Sequence, residues 1–167
     1  VDLTLRDGSG GVRGTLEDVN GVPISGAQVR IAPVGYLSGS GKAHPIDLVS
    51  DHVGAFECIL LGPGSWILMV KTEAFVGQSF EFIVPANEVV EQKITLNVGA
   101  TVAGTILRAD GSPATKATVA LGERYAQYDF TGRSAKTDSR GAYRISGVAP
   151  GTQSIRAHES EEGKFSG

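Results

Sequence analysis

The feature that most restricts what this chain can fold into is that it repeats itself. Shifted by 90 positions, GTLEDVNGVPISGAQVRI (residues 14–31) lies on GTILRADGSPATKATVAL (residues 104–121) without a gap. Gly, Thr, Gly, Pro, Ala and Val recur at 14/104, 15/105, 21/111, 23/113, 27/117 and 29/119. Shifted by 87, SDHVGAFECILLGPG (residues 50–64) lies on TDSRGAYRISGVAPG (residues 137–151), so the loop between the two blocks is three residues shorter in the second copy. Self-similarity of this kind marks modules that each form one structural unit. A third echo lies at the start, where DLTL and then GVRG resemble KITL (residues 93–96) and then ATVAG. The expected layout is the last strand of a preceding module at 1–9, a whole module at 10–98 and an incomplete one at 99–167.

Each copy reads as β structure. GVRGTL and TVAGTI alternate, with Val12 and Leu16, or Val102 and Ile106, on one face. Between the first and second strands, VNGVP and ADGSP carry turn chemistry: Asn-Gly and Asp-Gly accept positive φ, and proline holds its neighbours extended. Alternation places Phe56 and Cys58, or Tyr143 and Ile145, inward, and after the Pro-Gly turn Leu68 and Val70, or Ile155 and Ala157, inward as well. SFEFIV and QKITLNV complete about seven strands in the first copy, and no apolar stripe has helical spacing. The pattern predicts tandem seven-stranded Greek-key β-sandwich modules, the second truncated. Ile67 and Met69 fall opposite Leu68 and Val70, and so are expected to lie under a module interface or a neighbouring strand.

Composition narrows the function classes. Glycine, 23 of 167 residues, is about twice its usual share of roughly 7% and is distributed between short apolar runs, as many turns require. The net charge of −3 comes from interspersed charges, with no basic stripe for nucleic acid. No apolar run is long enough to insert in a membrane as a helix. The single Cys58 cannot form an internal disulfide and reads as a small buried hydrophobe.

The residues that repeat follow the order G-x-(V/I/L), D/N-G-x-P-x-x-x-A-x-V, T/S-D-x-x-G-x-(F/Y), P-G. This order resembles the carboxypeptidase regulatory-like domain, a transthyretin-like (prealbumin-like) sandwich related to Cna B-type repeats. The resemblance implies a non-catalytic accessory or stalk unit in an extracellular, cell-surface or periplasmic protein, with the parent protein's adjacent domains as partners and no cofactor. Two positions depart from the pattern: Lys116 stands where the first copy has Gly26, and Gln153 where it has Trp66. Cna B-type relatives often carry a Lys–Asn isopeptide bond. Here the first strands hold no lysine, and Lys93 and Asn97 share one strand, so none is expected.

Three stretches bear on chemistry. HPIDLVSDH offers His44, Asp51 and His52 for a metal-dependent hydrolase, but the donors fall on a loop and a turn, and Ser139 replaces His52 in the second copy. Asp51 and Asp138 recur at one position, as an aspartate capping a turn does. ERYAQYDFTGR (residues 123–133) is the segment that reads as a ligand surface: Tyr125, Tyr128 and Arg133 are the binding candidates, for a glycan or a peptide. Neither catalytic residues nor metal ligands are expected. Finally, the strand running from Val1 to Leu5 matches one of the strands missing from the second copy, and self-association by strand exchange through it is a further expectation.

Overall fold

The structure, a computed structural model, describes residues 9–36, 44–122 and 130–159. The chain divides into two compact units, Val1–Thr72 with Val76–Val98, and Glu73–Phe75 with Gly99–Gly167. The described residues form twelve strands, a single 3-10 turn (Val34–Tyr36) and no α-helix.

Unit 1 contains β1 (Gly10–Asp18), β2 (Gln28–Pro33), β3 (Ile46–Val49), β4 (Ala55–Leu61), β5 (Gly64–Lys71), β6 (Gln78–Val84) and β7 (Val89–Leu96). They build two sheets, in the orders β4-β1-β7 and β3-β2-β5-β6, and the chain passes back and forth between them. All pairings are antiparallel except β1 with β7, which run parallel with Leu16 opposite Ile94 and Asp18 opposite Leu96. This is the seven-stranded sandwich that the alternation predicts.

The inward sets are those of the period-2 pattern. Val12 and Leu16 of β1, Phe56 and Cys58 of β4, and Ile94 and Leu96 of β7 are buried from one sheet. Val29 and Ile31, Leu68 and Val70, and Phe82 and Val84 are buried from the other. Each such side chain contributes about 1.5–3 kcal/mol when removed from water. The outer face of β4-β1-β7 carries charges instead: Arg13 pairs with Glu57 and Glu91, and Lys93 with Glu17 at 3.0 Å. Pairs this exposed contribute little each. β5 departs from alternation, because Ile67 and Met69 are buried together with Leu68 and Val70. It lies between β2 and β6, and the Val34–Tyr36 turn packs against it.

Unit 2 contains β8 (Ala100–Thr105), β9 (Thr118–Leu121), β10 (Ser134–Lys136), β11 (Ala142–Val148) and β12 (Ile155–His158). The sheets are β11-β8 and β10-β9-β12, the equivalents of β4-β1 and β3-β2-β5. Val119, Leu121, Ile145 and Val148 form the core, with Val102, Ile106, Ala135 and Tyr143 packed against it. The expectation that Ile155 and Ala157 point inward is corrected: both are exposed, Ile155 by 46%. Their counterparts Leu68 and Val70 lie on β5, which has β2 on one side and β6 on the other. Among the described residues β12 pairs only with β9, and β8 only with β11.

Both units carry a β-bulge at the same place. The β1/β4 register shifts at Leu60, with φ of 68°, and the β8/β11 register at Gly147, with φ of 69°. Leu60 is accommodated because it is exposed, whereas a β-carbon on Gly147 would meet the Arg133 guanidinium at 2.7 Å.

Candidate functional site

The twice-written phrase T/S-D-x-x-G-x-(F/Y) folds into one interlocked knot in each unit. The Ser50 hydroxyl is 3% exposed as a residue; it accepts from the Ala27 N–H at 3.0 Å and donates to Ile24 O at 2.7 Å. Thr137 does the same, accepting from Ala117 N–H at 2.8 Å and donating to Ala114 O at 2.6 Å. One carboxylate oxygen of Asp51 accepts from the amides of Val53 and Ala55, and that of Asp138 from Arg140 and Ala142, all within 3.0 Å. Gly54 and Gly141, with φ of 74° and 75°, close the turn, and their carbonyls accept from the Leu16 and Ile106 amides. Phe56 lies against Gly14 and Tyr143 against Gly104, where glycine leaves room for the ring. Every position that recurs in this phrase therefore has a folding role.

The Asp138 cap and three other aspartates carry a pH dependence. The Asp138 carboxyl is held below its ordinary value by the Ala142 amide first and then the Arg140 amide, and the Asp18 carboxyl by the Val22 amide first. Asp47 is lowered by its two-point pairing with Arg30, and Asp110 by the Ser112 hydroxyl. Folded-state values below the unfolded value of ~3.9 give a contribution that is full above ~3.9 and disappears as pH falls through the folded value. The melting temperature is expected to be flat from pH 7 to about 5 and to drop below about 4. Asp138→Asn should remove part of that drop; a slope unchanged in the variant would refute the assignment.

The hydrolase candidates are not assembled into a centre. His44 is exposed just before β3, His52 is exposed on the β3–β4 turn, and the Oδ1 atom of Asp51 is engaged by that turn's amides. Among the described residues no group of three His, Cys, Asp or Glu side chains could hold a metal ion. Cys58 is 6% exposed, and burial raises its thiol pKa. Among the ligand-surface candidates, Tyr125 and Tyr128 lie outside the described residues. Arg133 is half-buried; its Nη2 donates to Phe75 O at 2.5 Å within unit 2, and burial pushes the guanidinium pKa down.

A groove that strand alternation did not single out opens in unit 2 between the end of β8 and β12. Ile106, Leu107, Ala114, Ala117 and Ala157 line it, and its rim carries His158 and the Arg108–Glu159 ion pair at 2.6 Å. The knot, the bulge and the strand order give unit 2 the layout that the repeated residues describe. Residues 101–164 match the carboxypeptidase regulatory-like domain.

No curated protein matches the chain. Solved structures with a similar fold include the Bacillus anthracis TIE protein, at 14% identity and TM-score 0.46, covering 91% of this chain and 31% of that one. A streptococcal ancillary pilin is 10% identical with TM-score 0.47, covering 97% of this chain and 56% of the pilin. Catechol 1,2-dioxygenase from Pseudomonas arvilla C-1 is 9% identical with TM-score 0.46, covering 66% of this chain and 56% of the enzyme. The chain thus spans about a third to just over half of these proteins. All three scores lie below 0.5.

The two departures within the regulatory-like segment have physical explanations. Lys116 adopts φ of 58° where Gly26 has 74°, and a β-carbon built on Gly26 meets nothing within 4 Å, so the side chain is accommodated sterically and only the backbone is strained. Lys116→Gly is expected to stabilise unit 2 by roughly 0.5–1 kcal/mol, measured by urea denaturation; a loss of stability would show that the lysine makes a compensating contact. Trp66 is not deep in the core: it is half-buried and its Nε1 donates to Gly62 O at 2.9 Å. Gln153 keeps that donor, bonding Ala149 O at 3.3 Å, and loses only the ring.

Proposed function

We propose that this chain is a non-catalytic structural and interaction module of a larger exported or cell-surface protein, with adjacent domains of the parent protein as its partners. The observation that carries the reading is the destination of the repeated residues. Ser50, Asp51, Gly54 and Phe56, and their counterparts Thr137, Asp138, Gly141 and Tyr143, are all engaged in turns and packing. What is written twice is a scaffold, and the match at residues 101–164 is to a regulatory-like domain rather than a catalytic one. Modules of that kind usually serve as accessory or stalk units outside the cytoplasm.

The test is made on cells that express the parent protein. Antibody against this chain should label intact cells without permeabilisation. Purified chain should meanwhile resist limited proteolysis, as a compact spacer does. Label that appears only after lysis would overturn the localisation, and rapid cleavage within the described strands would overturn the spacer role.

A further inference from the structure

The two units share a bulge and differ in what lies on it. Unit 2 holds, besides its own strands, the segment Glu73–Phe75. That segment lies across the unit 2 bulge: a β-carbon on Gly147 would meet Glu73 O at 2.8 Å, Ala74 O accepts from the Gly99 N–H at 2.8 Å, and Phe75 O accepts from Arg133 Nη2 at 2.5 Å. Gly147 is accordingly buried and Ser146 half-buried. Their counterparts in unit 1 are Leu60 and Ile59, which are 57% and 58% exposed. Val89, 45% exposed, stands beside them, because Gly11 pairs with Ile59 on one side and with Val89 on the other and puts no side chain between the two. Where Arg133 bonds the segment in unit 2, unit 1 has Ile46, which pairs with Ile31 as Arg133 does with Leu121.

We propose that Ile59, Leu60 and Val89 are the docking surface for a short loop of the domain that precedes unit 1 in the parent protein, a loop that lies across the bulge as Glu73–Phe75 lie across that of unit 2. The proposal rests on the reading of this chain as a module of a larger protein. The course of the chain points to that source. β1 begins at the bulge, with Gly10 opposite Leu61, as β8 begins with Ala100 opposite Val148, so a domain joined ahead of β1 is tethered next to this face at high effective concentration. What replaces the polar contacts of unit 2 fixes the chemistry of the loop. Isoleucines stand for Arg133 and Ser146 and a leucine for Gly147, and none of these side chains can donate a hydrogen bond. The loop therefore brings an aliphatic or aromatic side chain, whose burial against Ile59, Leu60 and Val89 holds it in place. Residues 1–5, for which strand exchange is expected, lie outside the described residues and have no part in this surface.

Hydrogen exchange of the intact parent protein, compared with this chain purified alone, tests the proposal. Amides of residues 59–62 should exchange about tenfold more slowly in the parent, and those of β3 should exchange alike in both. Leu60→Asp in the parent should abolish the difference. The same change should leave the melting temperature of the purified chain unaltered, since the side chain is exposed and aspartate accepts the φ of 68°. Ile83→Asp, at an exposed position of β6, is the control that keeps the protection. A photo-crosslinking amino acid at position 60 of the parent should join to a loop encoded ahead of Val1. Three results would overturn the proposal: equal exchange in parent and chain, protection that survives Leu60→Asp, or a cross-link to another protein or to a segment encoded after Gly167. Labelling of intact cells reads the module's role separately, so labelled cells with equal exchange would overturn the docking surface alone.

Discussion

Gly141→Ala is expected to destabilise unit 2 by about 3 kcal/mol, lowering its melting temperature by roughly 10–20 °C. Two costs add. The φ of 75° is unfavourable for any residue with a β-carbon, by about 1 kcal/mol. The added carbon would also lie 2.5 Å from Ile106 O, a carbonyl held in place by the Ala114 N–H at 3.0 Å, and this overpacking costs a further 1–3 kcal/mol or so. Gly111→Ala separates the two terms, since Gly111 has φ of 83° with nothing within 4 Å, and should cost only about 1 kcal/mol. Denaturant titration of both variants decides the matter: equal losses would show that the Ile106 carbonyl moves aside. Gly54 meets Leu16 O in the same way and should behave like Gly141.

Thr137→Val should cost roughly 3 kcal/mol although it hardly changes volume. The hydroxyl bridges Ala117 N–H and Ala114 O, with Ala117 1% and Ala114 3% exposed, so the valine would leave a donor and an acceptor buried without partners. Thr137→Ser retains the hydroxyl and should lose less than about 1 kcal/mol, since unit 1 already uses Ser50 at this position. If the valine and serine variants unfold at the same denaturant concentration, the bridge contributes nothing and the position is set by packing alone.

These two expectations mark how far the sequence could be read. The turns were legible because their residues are needed locally: Asp51 and Asp138 accept from amides two and four positions along the chain, and Gly54 and Gly141 adopt a φ that other residues avoid. The inward faces of β1 and β4 were legible for a related reason, since period 2 is a property of a single strand. The hydroxyls of Ser50 and Thr137 act beyond their own turns. Their buried bridges reach 23 and 26 positions back in unit 1, and 20 and 23 in unit 2, so no local pattern reveals them.

The candidate site was less legible. Arg133 was singled out as a residue of a variable loop, and the structure places its guanidinium against Gly147 and the Phe75 carbonyl, contacts that only the folded chain brings within reach. The groove between β8 and β12 could not be seen in alternation, because alternation states which face a residue occupies and not whether a neighbour covers that face. Ile155 and Ala157 have the same inward phase as Leu68 and Val70, yet they are exposed.

The sequence by itself determined that the chain is β throughout, that it writes one module's residues twice, and where each turn falls, because turn conformations and strand phases are set by residues close together in the chain. Tertiary structure alone decided which strands are neighbours, that β5 is buried on both faces, and that among the described residues β8 pairs only with β11. Those outcomes depend on hydrogen bonds and contacts between residues tens of positions apart, such as β1 with β7, and burial is a property of the assembled sheets rather than of any one strand.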